Sequence, residues 1–174
     1  SGYGKDGRPV ETPLYADGEK LREIIPSPAG GHNWQSMSFS SQTGLIYIPA
    51  LSLPYKLMDD KNWNWGDPKL GQPQSNTGWN LAMFMDPTLP PMSKPFGRLI
   101  AWDPLAQKEA WHHEHVSPWN GGTLATAGNL VFQGTGDARF QAFDAKTGAK
   151  LWETPTGAGI VAAPITYEVD GKQY

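Results

Sequence analysis

The chain has 174 residues, a formal net charge of −3 at pH 7 and 18% charged residues, below the roughly 25% of an average soluble domain. Its 20 glycines and 16 prolines exclude a helix bundle or coiled coil, and its eight tryptophans exclude a disordered chain. The weakly acidic balance gives no basic surface for nucleic acid, and no apolar run reaches the ~20 residues of a membrane helix. Since there is no cysteine, these residues form no disulfide, thiol nucleophile or CxxCH haem site.

Taken in chain order, the sequence predicts short strands joined in hairpins by glycine-containing turns. The predicted strands and turns are 38–39 and 45–48 around the turn 42–44, 123–126 and 130–132 around the turn 127–129, and a last hairpin that begins at 163–167 and turns at 170–171.

One eleven-residue pattern occurs twice, at an offset of 41 residues. AWDPLAQKEAW (101–111) and AFDAKTGAKLW (142–152) share A-x-D-x-x-x-G-x-x-x-W, with Gln107 in place of the glycine in the first copy. The pattern predicts a hairpin in which the Asp caps a turn, the Gly takes positive φ and the Trp lies where one sheet packs on the next. Two hairpins per repeat make four strands, which is typical of a β-propeller blade, whereas accidental similarity within a generic β-sandwich is the alternative.

The sequence therefore predicts an all-β fold, a partial β-propeller of about two four-stranded blades plus part of a third. A long irregular insert, at about 51–96, separates the two hairpins of the first blade, and loops of this length often carry function or contact partners. Because a propeller closes with about four to eight blades, we expect residues 1–174 to be part of a larger ring. Both ends look cut, the first within a loop and the last within a hairpin.

Three motifs suggest a site and fail on context or spacing. Residues 157–162 fit G-x-G-x-x-A, but a proline and a strand-like segment follow instead of the helix of a dinucleotide site. The D-x-N-x-N at 60–64 begins like a calcium loop, but Trp and Gly occupy the sixth and twelfth positions. The three histidines within 112–115 lie on a predicted strand, so they cannot all converge, and an exposed strand end is favoured over a metal cluster. No nucleophile elbow or glycosidase carboxylate pair is present.

Asn33 and Trp34 follow a glycine pair and come just before the innermost strand of the first predicted blade, near the position of a central channel. An Asn amide can bind a carbonyl or carboxylate edge, and an indole offers a flat apolar face or an N–H donor. Trp119, in the segment WNGG (119–122), has the comparable position one blade later. The structural alternative, which composition alone favours, is that the tryptophans pack between blades and the asparagines make turns.

At these residues the sequence resembles the pyrroloquinoline quinone (PQQ)-dependent alcohol dehydrogenases, especially their quinohaemoprotein branch. The repeat looks like the family's tryptophan-docking motif, and the resemblance implies a stretch from the C-terminal half of an eight-bladed propeller. It covers nearly the whole chain, including LMDDKNW and SNTGWN in the insert. The matching segments are GGHNWQSMSFSSQTGLIYIPA (30–50), SKPFGRLIAWDPLAQKEAW (93–111), EHVSPWNGGTLATAGNLVFQGTGDARFQAFDAKTGAKLWE (114–153) and TGAGIVAAPITYEVDGKQY (156–174).

The resemblance implies a parent enzyme that oxidises primary alcohols to aldehydes by hydride transfer to PQQ, with Ca²⁺ as a Lewis acid. Asn33 and Trp34 match residues that line the PQQ site, and Trp119 matches a tryptophan near the quinone. The family's catalytic Asp, calcium ligands, vicinal cysteine pair and Arg or Lys partner of the quinone would lie upstream, and a haem c site downstream. No catalytic or metal-binding residue is therefore expected in this segment, which we expect to be inactive alone.

The implied partners are a small alcohol substrate, a cytochrome c domain or another electron acceptor, and the rest of the propeller. Nucleic acid and a membrane span are not expected, and the implied location is the periplasm. A non-catalytic propeller scaffold that binds other proteins is the alternative function, and the long insert favours the enzyme because simple scaffolds usually keep their blades regular.

Overall fold

A computed structural model of the chain describes residues 3–10, 22–57 and 93–174. Most of the predicted insert, and with it the D-x-N-x-N motif at 60–64, lies outside these ranges. Within them the structure is all β, and no helix is long and apolar enough to cross a membrane. The chain divides into two units, one of Ser1–Ile24 with Tyr55–Met92 and one of Ile25–Pro54 with Ser93–Tyr174.

The strands of the described residues are numbered in chain order. They are β1 (Arg22–Ile24), β2 (Ser38–Ser40), β3 (Leu45–Ser52), β4 (Tyr55–Leu57), β5 (Phe96–Asp103), β6 (Lys108–His115), β7 (Thr123–Ala125), β8 (Leu130–Thr135), β9 (Arg139–Asp144), β10 (Lys150–Pro155), β11 (Glu168–Val169) and β12 (Lys172–Gln173). In the first unit β1 pairs with β4 in antiparallel register.

The second unit contains two four-stranded antiparallel sheets and one further hairpin. Strands β2, β3, β5 and β6 form the first blade, β7, β8, β9 and β10 form the second, and β11 pairs with β12. β3 pairs directly with β5, from Ile46 opposite Trp102 to Ser52 opposite Phe96, so the intervening chain is an insertion between neighbouring strands of one blade. Both strands extend past the predicted insert bounds, β3 to Ser52 and β5 from Phe96. The all-β partial propeller is confirmed.

The two copies of the eleven-residue pattern form the same turn. Asp103 Oδ1 accepts two backbone N–H bonds at 2.9 Å, and Asp144 Oδ1 accepts the equivalent pair at 3.0 and 2.7 Å. Gln107 and Gly148 then take positive φ, 51° and 73° respectively. The substitution of Gln for Gly in the first copy therefore leaves the turn geometry unchanged.

The last hairpin is shorter than predicted. Its turn lies at Asp170 and Gly171, both with positive φ, as an Asp-Gly hairpin turn requires. The strand, however, begins at Glu168, and residues 163–167 are not in a strand. Pro164 has no N–H to donate to a ladder, and in the described structure β11 has no neighbour other than β12.

The core of the second unit lies between the two blades. The register places Tyr47, Ala101 and Trp111 side by side on the face of the first blade that packs against the second. The buried core residues are Leu45, Tyr47, Leu99, Ala101, Val131, Phe143 and Ala145.

Trp111 joins the first blade to the turn of the second. Its Nε1 donates to the Ala145 carbonyl at 3.1 Å, and its ring lies over Gly148, where an added Cβ would be 2.5 Å from Trp111 Cδ2. The predicted packing position of this tryptophan is confirmed. Trp152, its counterpart in the second copy, lies beside Phe140 and is 48% exposed.

Candidate functional site

The loop that carries Asn33 and Trp34 is fastened to β3 and the residues just after it. Gly30 has a φ of 77°, which turns the chain into the loop without the steric cost a side chain would meet. Three hydrogen bonds secure the loop: Ser27 N–H to Leu53 O at 3.0 Å, Leu51 N–H to Gly31 O at 2.9 Å, and His32 Nδ1–H to Pro49 O at 2.8 Å.

The Asn33 amide makes two local bonds and keeps unused capacity. Its Nδ2 donates to Ala29 O and its Oδ1 accepts from Trp34 N–H, both at 2.9 Å. Asn33 therefore makes a local turn, as the structural alternative predicted. Since an amide has two N–H donors and two acceptor positions, one of each has no partner among the described residues, and the side chain is exposed.

The two predicted tryptophans differ in environment. Trp34 is 64% exposed and contacts no other ring in the described part of the chain, so it does not pack between the two described blades. Trp119 is half-buried, and the Ser117 hydroxyl bridges its backbone, accepting from its N–H at 3.2 Å and donating to its carbonyl at 3.0 Å.

Asn120, next to Trp119, is a turn residue, as the structural alternative predicted. Only 3% of it is exposed. Its Nδ2 donates to Ser117 O at 2.7 Å, and its Oδ1 accepts from Gly136 N–H at 3.1 Å.

The segments before the first strands of successive blades lie side by side. Thr123 N–H donates to Ser36 O at 2.9 Å. A Cβ added to Gly122 would lie 2.5 Å from Ser36 Oγ and 2.8 Å from Ala163 Cβ, so this position requires glycine. Ser36 is thus a backbone neighbour of Gly122 and Thr123, while no hydrogen bond or ring contact joins Trp119 to Asn33 or Trp34 in the described structure.

The histidines of β6 alternate between two faces, as predicted. His112 is exposed and its Nδ1 lies 2.6 Å from Glu109 Oε1. His113 and His115 share the opposite face, with ring centroids 5.2 Å apart. The predicted exposed strand end is wrong for His115, which is 6% exposed because this face packs on the second blade. No group of three metal-ligand side chains occurs in the ranges that the structure describes.

His115 belongs to a buried chain of hydrogen bonds that leads to the WNGG segment. Its Nε2 lies 2.9 Å from Gln133 Oε1, and Gln133 Nε2 donates to Gly121 O at 2.8 Å. Burial lowers the pKa of His115 to about 4. The sequence analysis placed His115 at an exposed strand end and did not single out Gln133, because only the packing of the two blades makes these residues neighbours.

Gln35 was also missed. It follows Trp34, is 3% exposed, and its Oε1 has no hydrogen-bond partner among the described residues. A buried unpaired acceptor is costly, so this atom is a candidate acceptor for a group absent from the structure.

Comparison with known proteins identifies the family. The model of the PQQ family, described as glucose/ethanol/alcohol dehydrogenase, beta-propeller domain, matches residues 8–174, and the chain belongs to this family. It is 60% identical over 174 residues to "Quinohemoprotein alcohol dehydrogenase" of Comamonas testosteroni, covering 100% of this chain and 24% of that protein. It is 58% identical to "1-butanol dehydrogenase (cytochrome c)" of Thauera butanivorans, with 100% and 25% covered.

Solved structures agree with this assignment. The crystal structure of the Comamonas testosteroni enzyme superimposes with a TM-score of 0.85, covering 99% of this chain and 26% of that one. A europium-containing methanol dehydrogenase, 29% identical, superimposes with a TM-score of 0.70, covering 97% and 28%. The chain thus spans about a quarter of the length of these relatives.

The residues before β2 fit a flat heterocycle with polar edges such as PQQ. Trp34 offers an exposed ring face, Asn33 a free amide N–H and acceptor position, and Gln35 an unpaired buried acceptor. An aromatic face for a ring and amide groups for its edge are the usual contacts in such pockets.

Proposed function

We propose that the chain forms part of a PQQ- and calcium-dependent alcohol dehydrogenase that oxidises primary alcohols to aldehydes. The observation that supports this most is the pair formed by the exposed Trp34 ring and the Asn33 amide, which has hydrogen-bonding capacity left over. The loop that carries both residues is hydrogen-bonded to β3, and its end lies beside the start of the next blade. Membership of the family and the names of its alcohol-oxidising relatives point the same way.

Bound PQQ would supply the oxidant, accepting hydride from the alcohol carbon, with Ca²⁺ as the Lewis acid. In this proposal Asn33 holds the polar edge of the cofactor through its amide, Trp34 covers part of its face, and Trp119 lies near the quinone. We assign neither the catalytic base nor a calcium ligand to this chain, so those groups come from the rest of the propeller.

The proposed partners are a small primary alcohol and a cytochrome c domain, or a separate acceptor, that removes the electrons. One relative is named a quinohemoprotein and another carries cytochrome c in its name, which supports haem c as the acceptor. We propose a periplasmic location on the resemblance to the family.

Reconstitution of the full-length protein tests this function. We expect dye-linked oxidation of 1-butanol that requires both PQQ and a metal, with Ca²⁺ restoring activity after chelation. In a parallel experiment La³⁺ replaces Ca²⁺ after chelation, since one relative contains europium. The isolated 174 residues are the control, and we expect no turnover from them with PQQ and Ca²⁺.

Each outcome has a distinct meaning. Turnover by the isolated chain would show that it contains catalytic residues, contrary to the assignment above. A full-length protein that neither binds PQQ nor oxidises alcohols would contradict the proposed function and favour the non-catalytic scaffold. Activity restored by La³⁺ but not by Ca²⁺ would contradict the calcium assignment alone.

A further inference from the structure

We propose that His115 and Gln133 are positioning residues that hold the Gly121 carbonyl, and through it Trp119, in place at the start of the second blade. The inference rests on the proposed function only in naming PQQ as the ligand that depends on this position. The positioning itself is a property of the protein without cofactor.

The direction of each bond in this chain follows from chemistry. The Gly121 carbonyl can only accept, so the Gln133 amide must present Nε2 to it, across 2.8 Å. Gln133 Oε1 therefore faces His115, and since it can only accept, His115 Nε2 must carry the proton across 2.9 Å. His115 thus carries a proton on Nε2, and because burial lowers its pKa the ring is neutral, with Nδ1 unprotonated.

Burial makes these bonds hard to replace. Gln133 is 0% exposed and His115 is 6% exposed, so water does not substitute for a lost partner. A buried polar group that loses its partner bears its full desolvation cost, which favours movement of the backbone over an unpaired carbonyl. The bonds thus fix where the Gly121 carbonyl lies.

The remaining bonds transmit this position to Trp119. Gly121 N–H donates to Gly134 O at 2.8 Å, so the residue is held on both sides of its backbone. One residue, Asn120, separates Gly121 from Trp119, and its buried amide bonds to Ser117 O at 2.7 Å and to Gly136 N–H at 3.1 Å. Residues 117–121 therefore form one hydrogen-bonded segment, and in this proposal a displacement of Gly121 strains that segment and shifts Trp119.

Variants of the full-length protein test the proposal, with PQQ affinity measured by titration. Gln133→Met and His115→Phe remove the bonds at similar side-chain volume, and we expect each to weaken PQQ binding by about tenfold. His115→Gln places an amide N–H where Nε2–H lies, so its affinity should stay within about threefold of the wild type. KM for the alcohol should change less than PQQ affinity.

The matched control is Phe143→Leu, which alters the same inter-blade packing without touching the hydrogen-bonded chain. It should lower the thermal midpoint and leave PQQ affinity unchanged. A second readout needs no cofactor: 5-fluorotryptophan at position 119 should give a shifted or broadened fluorine resonance in Gln133→Met and an unchanged one in Phe143→Leu.

The proposal is overturned if Gln133→Met loses stability like Phe143→Leu but keeps wild-type PQQ affinity and fluorine signal. Should the variants not fold, nitrogen NMR of histidine-labelled unmutated protein at pH 6 decides, since an Nδ1–H tautomer or imidazolium at His115 would also overturn it. A protein that does not bind PQQ contradicts the proposed function instead, while the fluorine signal still tests the positioning.

Discussion

Replacement of Gly148 by alanine is expected to destabilise the protein by about 3 kcal/mol, whereas the same change at Gly44 should cost about 1 kcal/mol. The two glycines have nearly the same φ, 73° and 72°, so the strain of a side chain in this conformation is shared. Nothing lies within 4 Å of an added Cβ at Gly44, while at Gly148 it would be 2.5 Å from the Trp111 ring. The difference between the variants therefore measures the contact between the blades.

A double-mutant cycle with Trp111→Ala isolates that contact. Trp111→Ala alone should cost about 3 kcal/mol, because it empties a partly buried site in the inter-blade core. In this background Gly148→Ala should cost only about 1 kcal/mol, as at Gly44, since the obstructing ring is gone. Urea unfolding of the four proteins gives the energies. An equal cost of Gly148→Ala with and without Trp111 would show that the ring does not pack on this turn.

Lowering the pH from 7 to 5 is expected to destabilise the protein by about 2 kcal/mol through His115 alone. The pKa of His115 is about 4 in the folded protein and about 6.5 for an ordinary histidine, so the unfolded chain binds more protons between these values. Stability is therefore lost as the pH falls through about 6.5, and the loss is complete near pH 4. Burial is the main cause of the lowered His115 pKa. His113 and Lys150 also lower this pKa, while Gln133 and Asp137 raise it.

His115→Gln removes this titration and should flatten the stability profile between pH 7 and 5, measured as thermal midpoints. The control is Leu105→Ala, a change at an exposed residue that does not titrate, which should leave the wild-type profile unchanged. Parallel profiles for the wild type and His115→Gln would contradict the assignment. His113, whose pKa burial also lowers, adds to the wild-type slope in the same direction.

The features predicted correctly from sequence are those set by local chemistry. An Asp that caps its own turn and a Gly or Gln of positive φ act within a few residues, so the 41-residue repeat revealed the hairpins and the position of Trp111. The buried His115 could not be predicted this way. Its polar segment, HHEH, suggests an exposed strand, and only Gln133 from the next blade gives the ring a partner.

The candidate site was located by pattern and resemblance together. Asn33 and Trp34 stood out as an amide and an indole after a glycine pair. The structure shows that the Trp34 ring is exposed and that the Asn33 amide makes one donor and one acceptor bond within its own turn. The unpaired Gln35 acceptor gave no sequence signal, because glutamine is common on surfaces and its burial depends on the fold. The roles of Asn33, Trp34 and Trp119 toward PQQ stay predictions.

Titration of the full-length protein with PQQ tests the central claim most directly. Asn33→Ala and Trp34→Ala should each weaken binding by at least about tenfold, because they remove the edge contact and the ring face respectively. Leu105→Ala is the matched control, a 95% exposed apolar residue in the turn between β5 and β6, and its affinity should equal that of the wild type. Wild-type affinity in both Asn33→Ala and Trp34→Ala would contradict the claim that this loop contacts the cofactor.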